Sequence, residues 1–325
     1  MTPRNSPYHG LLIVDKPGLD TADGGPRLPT SHDIVQMVRR WSGQRRIGHT
    51  GTLDPMASGV LVLCLGLATR LVEYYQGQPK RYLADVILGQ ATDTYDVTGQ
   101  VTETAPVPPL NEEQIEAALE SFRGEILQRP PAFSAIKQGG ESVHRRARRG
   151  ETVELAPRPV TFYQLELLTF EPPDRLRLQV ACSAGTYIRS LAHDLGRALG
   201  TVAHLTRLRR EAVGPFTLAS AHPLEAIQAA AEEGRFAQLL LPLGEGLAMP
   251  TLPLDAEATR RLGHGQQVLL PASDTLELNP DAPLARAVDP TGVFVGIVRC
   301  LGPAHDGRLW RWKAEKWFAR HGAGQ

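Results

Sequence analysis

Apolar residues follow three rhythms along this chain. Residues 11–14 and 60–65 are apolar at every position, as a strand covered on both faces would be. Leu176, Leu178, Val180 and Cys182 instead alternate with polar neighbours, which predicts a strand with one buried face, and residues 80–89 read as another strand. Helical spacing is the third rhythm. Ile34, Val38 and Trp41 recur between Thr30-Ser31-His32-Asp33, a helix start, and Gly43; Ile115, Leu119 and Phe122 follow the capping pair Asn111 and Gln114. Ile188, Leu191, Leu195 and Leu199 mark a helix stopped by Gly200, and residues 68–75 a shorter one.

Residues 240–253 are rich in proline and glycine, and the domain boundary is placed there. Beyond it, residues 267–270, 284–288 and 293–298 read as short strands, the last two joined by the turn Asp289-Pro290-Thr291-Gly292. Residues 308–313 alternate aromatic and basic side chains, suiting a strand with a cationic face. The expectation is a protein of two domains, residues 1–249 and a small β-barrel at 250–325.

Composition narrows the class. Of 325 residues, 42% are apolar and 22% charged, and no apolar run approaches the length of a membrane span. The run at 11–14 is too short for a signal-peptide core, so a cytoplasmic protein is expected. Cys64, Cys182 and Cys300 lie far apart, which argues against a zinc site or a disulfide framework and for small core residues. Net charge is zero, yet three basic clusters stand out: Arg39, Arg40, Arg45 and Arg46; Arg145, Arg146, Arg148 and Arg149; and Arg197, Arg207, Arg209 and Arg210. Each alone is commonly a solvated face; together they could converge on a phosphate backbone.

The chemistry concentrates in Ile47-Gly48-His49-Thr50-Gly51-Thr52-Leu53-Asp54-Pro55-Met56-Ala57-Ser58-Gly59. One carboxylate stands among short donors and three glycines, at the mouth of a buried strand. Pro55 biases Asp54 toward an extended conformation and so fixes its direction. Gly48 and Gly51 permit positive φ and a close ligand approach. A plain glycine-rich turn with a hydrogen-bonding Asp is the alternative; a P-loop is not, because its lysine is missing.

His-Thr-Gly-Thr-Leu-Asp-Pro followed by Ala-Ser-Gly-Val-Leu resembles the signature of the TruB family, bacterial pseudouridine synthases acting on uridine 55 of the tRNA T-loop. Further stretches agree: Asp15-Lys16-Pro17-Gly18; Tyr82 with Ala91-Thr92-Asp93-Thr94-Tyr95-Asp96; Gln128 to Lys137; Cys182-Ser183-Ala184-Gly185-Thr186-Tyr187-Ile188-Arg189; and Leu208-Arg209-Arg210. Three departures are visible. Residues 19–29 are inserted after the Lys16 motif, Phe133 replaces a usual tyrosine, and Val143-His144 replaces a Leu-Tyr pair.

The resemblance implies an α+β pseudouridine synthase fold with a central mixed, mostly antiparallel sheet, a thumb-like insertion at about 124–152 and a PUA-like β-barrel C-terminal domain. It implies Asp54 as the catalytic aspartate, Arg189 as its partner and Tyr82 as the group stacking on the target base. His49, Thr50, Gly51, Lys16, Tyr187, Leu208, Arg209 and Lys137 would meet the substrate. The implied partner is the T-stem-loop of tRNA, engaged by a monomer with no cofactor and no metal. An arginine partner would keep the acid ionised by depressing its pKa. Two rivals remain: a non-catalytic RNA-binding or RNA-folding protein, and a glycosidase or glycosylase, which would usually need a second carboxylate.

Overall fold

The computed structural model describes residues 8–19, 28–131, 133, 137–138, 141–142, 155–271, 283–304 and 308–318. Its centre is a mixed sheet with the order β1-β3-β12-β4-β11-β10-β7: β1 (Gly10–Lys16), β3 (Ser58–Leu65), β4 (Lys80–Leu88), β7 (Gly124–Gln128), β10 (Arg158–Glu171), β11 (Arg175–Cys182) and β12 (Ala203–Val213). Short β2 (Ile47–His49) adds to β3, and β13 (Phe216–Thr217) to β12. Among the described residues every pairing in this sheet is antiparallel except β3 with β12, where Arg209 faces Ser58 and Arg210 faces Gly59. Two small ladders lie outside it: β5 (Gln90–Thr92) with β6 (Val101–Thr104), and β8 (Lys137–Gln138) with β9 (Glu141–Ser142).

All eight residues of β3 are buried, as its unbroken apolar run predicts. Leu61, Leu63 and Leu65 face one core, and Val60, Val62 and Cys64 face the other. The first core is covered by α1 (Ser31–Ser42), α3 (Glu112–Glu120), α4 (Ile188–Ala198) and α5 (Leu224–Glu232). Capping boxes at Thr30 and Asn111 start α1 and α3 where the sequence placed them. The second core is covered by a 3₁₀ turn (Gly66–Leu71) running into α2 (Val72–Gln76), which together replace the single helix expected over 68–75. Cys64, Cys182 and Cys300 are buried and free.

A second sheet follows, in the order β14-β16-β17-β18-β15: β14 (Thr251–Pro253), β15 (Val268–Pro271), β16 (Leu284–Val288), β17 (Phe294–Pro303) and β18 (Leu309–Trp317), with α6 (Ala256–Gly263) against it. It is a curled half-barrel: β14 and β15 end the sheet and do not pair among the described residues. Phe294, Ile297 and Phe318 of this unit share the second core with Leu11, Val60 and Tyr75. Arg70 donates to the Trp317 carbonyl at 2.9 Å and lies 4.7 Å over the Phe318 ring; Tyr75 donates to the Glu245 carbonyl at 2.8 Å. The half-barrel is thus welded to the sheet by a common apolar filling.

One glycine decides how closely β3 and β12 can pack. Gly59 has φ +101°, and a Cβ there would lie 2.2 Å from the Arg210 carbonyl oxygen, a backbone atom that cannot step aside. Gly59→Ala is therefore expected to destabilise the fold by about 2 kcal/mol or more, read as the midpoint of denaturant unfolding. A wild-type midpoint would contradict this reading of the β3–β12 junction.

Candidate active site

The loop carrying Asp54 leaves β2 and enters β3, and three buried side chains clamp its backbone. Ser31, first residue of α1, accepts from the Leu53 N–H at 2.9 Å and donates to the Leu53 carbonyl at 3.2 Å. Lys16 at the end of β1 donates to the carbonyls of Pro17, Pro55 and Ala57 at 2.8, 3.0 and 2.7 Å. Arg210 on β12 donates to Val60, Thr52 and Gly51 carbonyls at 2.7, 3.5 and 3.1 Å. The turn itself closes with the Ala57 N–H on the Asp54 carbonyl at 3.1 Å. Of the two glycines that permit positive φ here, Gly51 uses it, at φ +154°, and Gly48 does not.

Lys16 is fully buried beneath the loop, where its ammonium holds main-chain carbonyls and so fixes the loop's shape. Arg209 is likewise occupied, donating to Asp15 at 2.9 Å and to Ser58 at 3.2 Å. Nor does the third basic cluster form a phosphate-facing row: Arg210 is buried in the loop clamp and Arg197 pairs with Glu103. Lys137 lies on β8, but its side chain falls outside the described residues, as do Arg145, Arg146, Arg148 and Arg149.

Arg189 enters from the first turn of α4 and is 5% exposed. Its Nη2 donates to Asp54 Oδ1 at 3.0 Å, and its Nε stands 2.9 Å from Asp54 Oδ2 in ion-pair contact. The same guanidinium donates to the carbonyls of Thr94 at 3.0 Å and Phe133 at 3.1 Å. A second carboxylate, Asp96, lies 3.6 Å from Nε. Asp96 is buried and accepts from the Thr94 hydroxyl and from the Thr98 N–H and hydroxyl. Its loop is drawn tight by Tyr95, a non-glycine residue at φ +61° stacked 4.0 Å from the His193 ring. In the sequence Asp96 stands out only as part of a motif, and its place beside Arg189 leaves no signal there.

Asp54 keeps a side chain 30% exposed, against 5% for Asp96, so it is the more accessible carboxylate of this trio. Burial pushes its carboxyl above the ordinary value; Arg189 pulls it down, and Asp96 pushes it up further. The net direction is upward: Arg189 depresses the pKa as the sequence led one to expect, and desolvation outweighs it. Tyr82 on β4 is buried, its hydroxyl reaches Arg210, and burial raises its pKa. Leu208, also buried, sits on the adjacent strand opposite Ala84. His49 Nδ1 and Thr50 Oγ1 are buried with no hydrogen-bond partner among the described residues, and burial with nearby Arg210 and His32 lowers the His49 pKa. Tyr187 is the residue just before α4, two places from Arg189.

No group of three or more His, Cys, Asp or Glu side chains is placed to hold a metal ion among the described residues. Among the described residues no helix is long and apolar enough to cross a membrane.

The raised carboxyl has a signed consequence. It stabilises the fold only while protonated, a contribution complete below the unfolded value and lost as pH rises through the folded one. Activity that needs the ionised acid is lost in the other direction, on acidification, at a pH above the ordinary carboxylate value of about 4. Asp96→Asn removes a charge that raises this pKa, so the acid limb of the single-turnover rate on a uridine-bearing RNA is expected to move to lower pH. A limb that stays put or moves up would contradict the assignment.

Comparison with known proteins agrees with these motifs. Residues 39–188 match the family model described as TruB family pseudouridylate synthase (N terminal domain), and residues 189–248 that of the tRNA pseudouridylate synthase B C-terminal domain. The tRNA pseudouridine synthase B of Xanthomonas campestris pv. campestris (strain B100) is 45% identical over 269 residues, 82% of this chain and 84% of that protein. Its namesake from Dehalococcoides mccartyi (strain ATCC BAA-2100) is 41% identical over 313 residues, 96% of this chain and 97% of that one. Among solved structures, a chain of an H/ACA RNP bound to a substrate RNA containing 2'-deoxyuridine has a TM-score of 0.72 at 25% identity, covering 96% of this chain and 86% of its own. A chain of a Cbf5-Nop10-Gar1 complex has a TM-score of 0.71 at 26% identity, with 96% and 85% covered. The chain has the pseudouridine synthase fold and belongs to the TruB family of pseudouridylate synthases.

Proposed function

We propose that this protein converts uridine 55 in the T-loop of tRNA to pseudouridine, with Asp54 as the catalytic group. The observation that carries the reading is a single accessible carboxylate, locked in direction by Pro55 and three backbone clamps and held at two points by a buried arginine. The relatives' activity on tRNA supports the choice of substrate.

The isomerisation breaks the N1–C1′ bond, turns the uracil and joins C5 to C1′; the C5 proton leaves and N1 gains one. Atoms and electrons balance without a redox step, so no cofactor is invoked. The target base is flipped out of its stack to reach the acid. Ionised Asp54 then attacks C1′, adds to C6 or takes the 2′ proton, and each path needs the carboxylate that Arg189 aims. Tyr82 stacks on the base and Leu208 lines its pocket. The unpartnered polar atoms of His49 and Thr50, together with Gly51 and Tyr187, meet the flipped nucleotides, and Lys137 reaches the RNA from the thumb-like insertion.

In this reading residues 1–249 form the catalytic domain and residues 250–325 a PUA-like unit that binds RNA, in a cytoplasmic monomer. Asp54→Asn keeps the shape of the side chain and removes its charge. With tRNA tritiated at C5 of uridine, release is expected to fall by more than about 1,000-fold while the tRNA Kd changes less than about 3-fold. Retained release would overturn the role of Asp54, and wild-type binding without release would favour a binding or folding protein.

A further inference from the structure

The catalytic arginine stands where a helix does least to hold it. Arg189 lies in the first turn of α4, where the helix dipole disfavours a cation, and the preceding residue Tyr187 makes no side-chain cap. Four hydrogen bonds from one short segment supply what the helix lacks. Gln128, the last residue of β7, accepts from the Tyr187 N–H at 2.8 Å and donates to the Tyr187 carbonyl at 3.0 Å. The Arg129 carbonyl accepts from the Ser190 hydroxyl at 2.8 Å, and the Phe133 carbonyl from Arg189 itself at 3.1 Å.

Gln128 is 3% exposed, and its amide donor and acceptor both serve one main-chain residue. The Tyr187 carbonyl has a second donor, the Leu191 N–H at 3.2 Å. A part-buried N–H that loses its acceptor stays unsatisfied or moves to find another. Such a movement tilts the first turn, and with it the guanidinium that aims Asp54.

We propose that Gln128 is a positioning residue for the reaction: by clamping the backbone of Tyr187 it sets the first turn of α4 and so the two-point contact of Arg189 with Asp54. This rests on the synthase reading above. Gln128→Met matches the side chain in length and removes both bonds. Its single-turnover rate at saturating tRNA is expected to fall about 10- to 100-fold, the scale set by a small misplacement of reacting groups, while the tRNA Kd is kept.

A merely structural role would also lower the rate, so the deciding readout is a double-mutant cycle with Arg189→Lys. Lysine cannot make the two-point contact that Gln128 aligns. Adding Gln128→Met to Arg189→Lys is expected to change the rate by less than about 3-fold. A loss of the same size in both backgrounds, or a wild-type rate in the single variant, overturns the proposal. Where the methionine variant fails to fold, Gln128→Asn, which keeps the amide but shortens its reach, takes its place in the same cycle. Absence of turnover in the wild type would instead strike the synthase reading itself.

Discussion

Arg189 carries a charge that water scarcely reaches, and a buried charge is tolerated only when partners surround it. Here two carboxylates and two carbonyls do so, drawn from loops far apart in sequence. Removing one partner from such a group typically costs about 3–5 kcal/mol, because the remaining charge is stranded. The guanidinium thereby ties four segments to one point: the Asp54 loop, the Thr94–Asp96 turn, the stretch after β7 and the start of α4. Asp54 gains a fixed direction from this, and its raised pKa is the accompanying cost of burial beside Asp96.

The other buried cations serve the same loop. Lys16 and Arg210 grip its carbonyls from β1 and β12, the strands on either side of β3, so loop shape is set by the most buried part of the sheet. A loop that only joined two strands would not need six main-chain groups satisfied by three buried side chains. Close β3–β12 packing, permitted by Gly59, is what brings Arg210 within reach. The fold therefore stiffens the reacting group from below and leaves one side of it open.

Patterns that depend on local order were legible. The β3 run, the α1 and α3 caps and the alternation of β11 all read from neighbours in sequence. β10 was not read, because register shifts at Phe162/Gln164 and Leu167/Thr169 break its period of two. The two short helices α5 and α6 were missed too; within α6 only Ala258 and Leu262 are buried, too few to show a rhythm. At the site, Asp54, Tyr82 and Arg189 were legible as motif residues. Asp96, Gln128 and the clamping roles of Lys16 and Arg210 were not, because each acts through a partner at least 39 positions away or through main-chain atoms that leave no trace in a side-chain pattern.

The central claim is that the aimed carboxylate acts on one uridine. Its most direct test is to incubate the purified protein with an unmodified tRNA transcript and map pseudouridine by position. The account predicts pseudouridine at position 55 alone, and none in a transcript carrying cytidine there. Modification elsewhere with position 55 untouched, or none at all from a protein that binds the transcript, would contradict it.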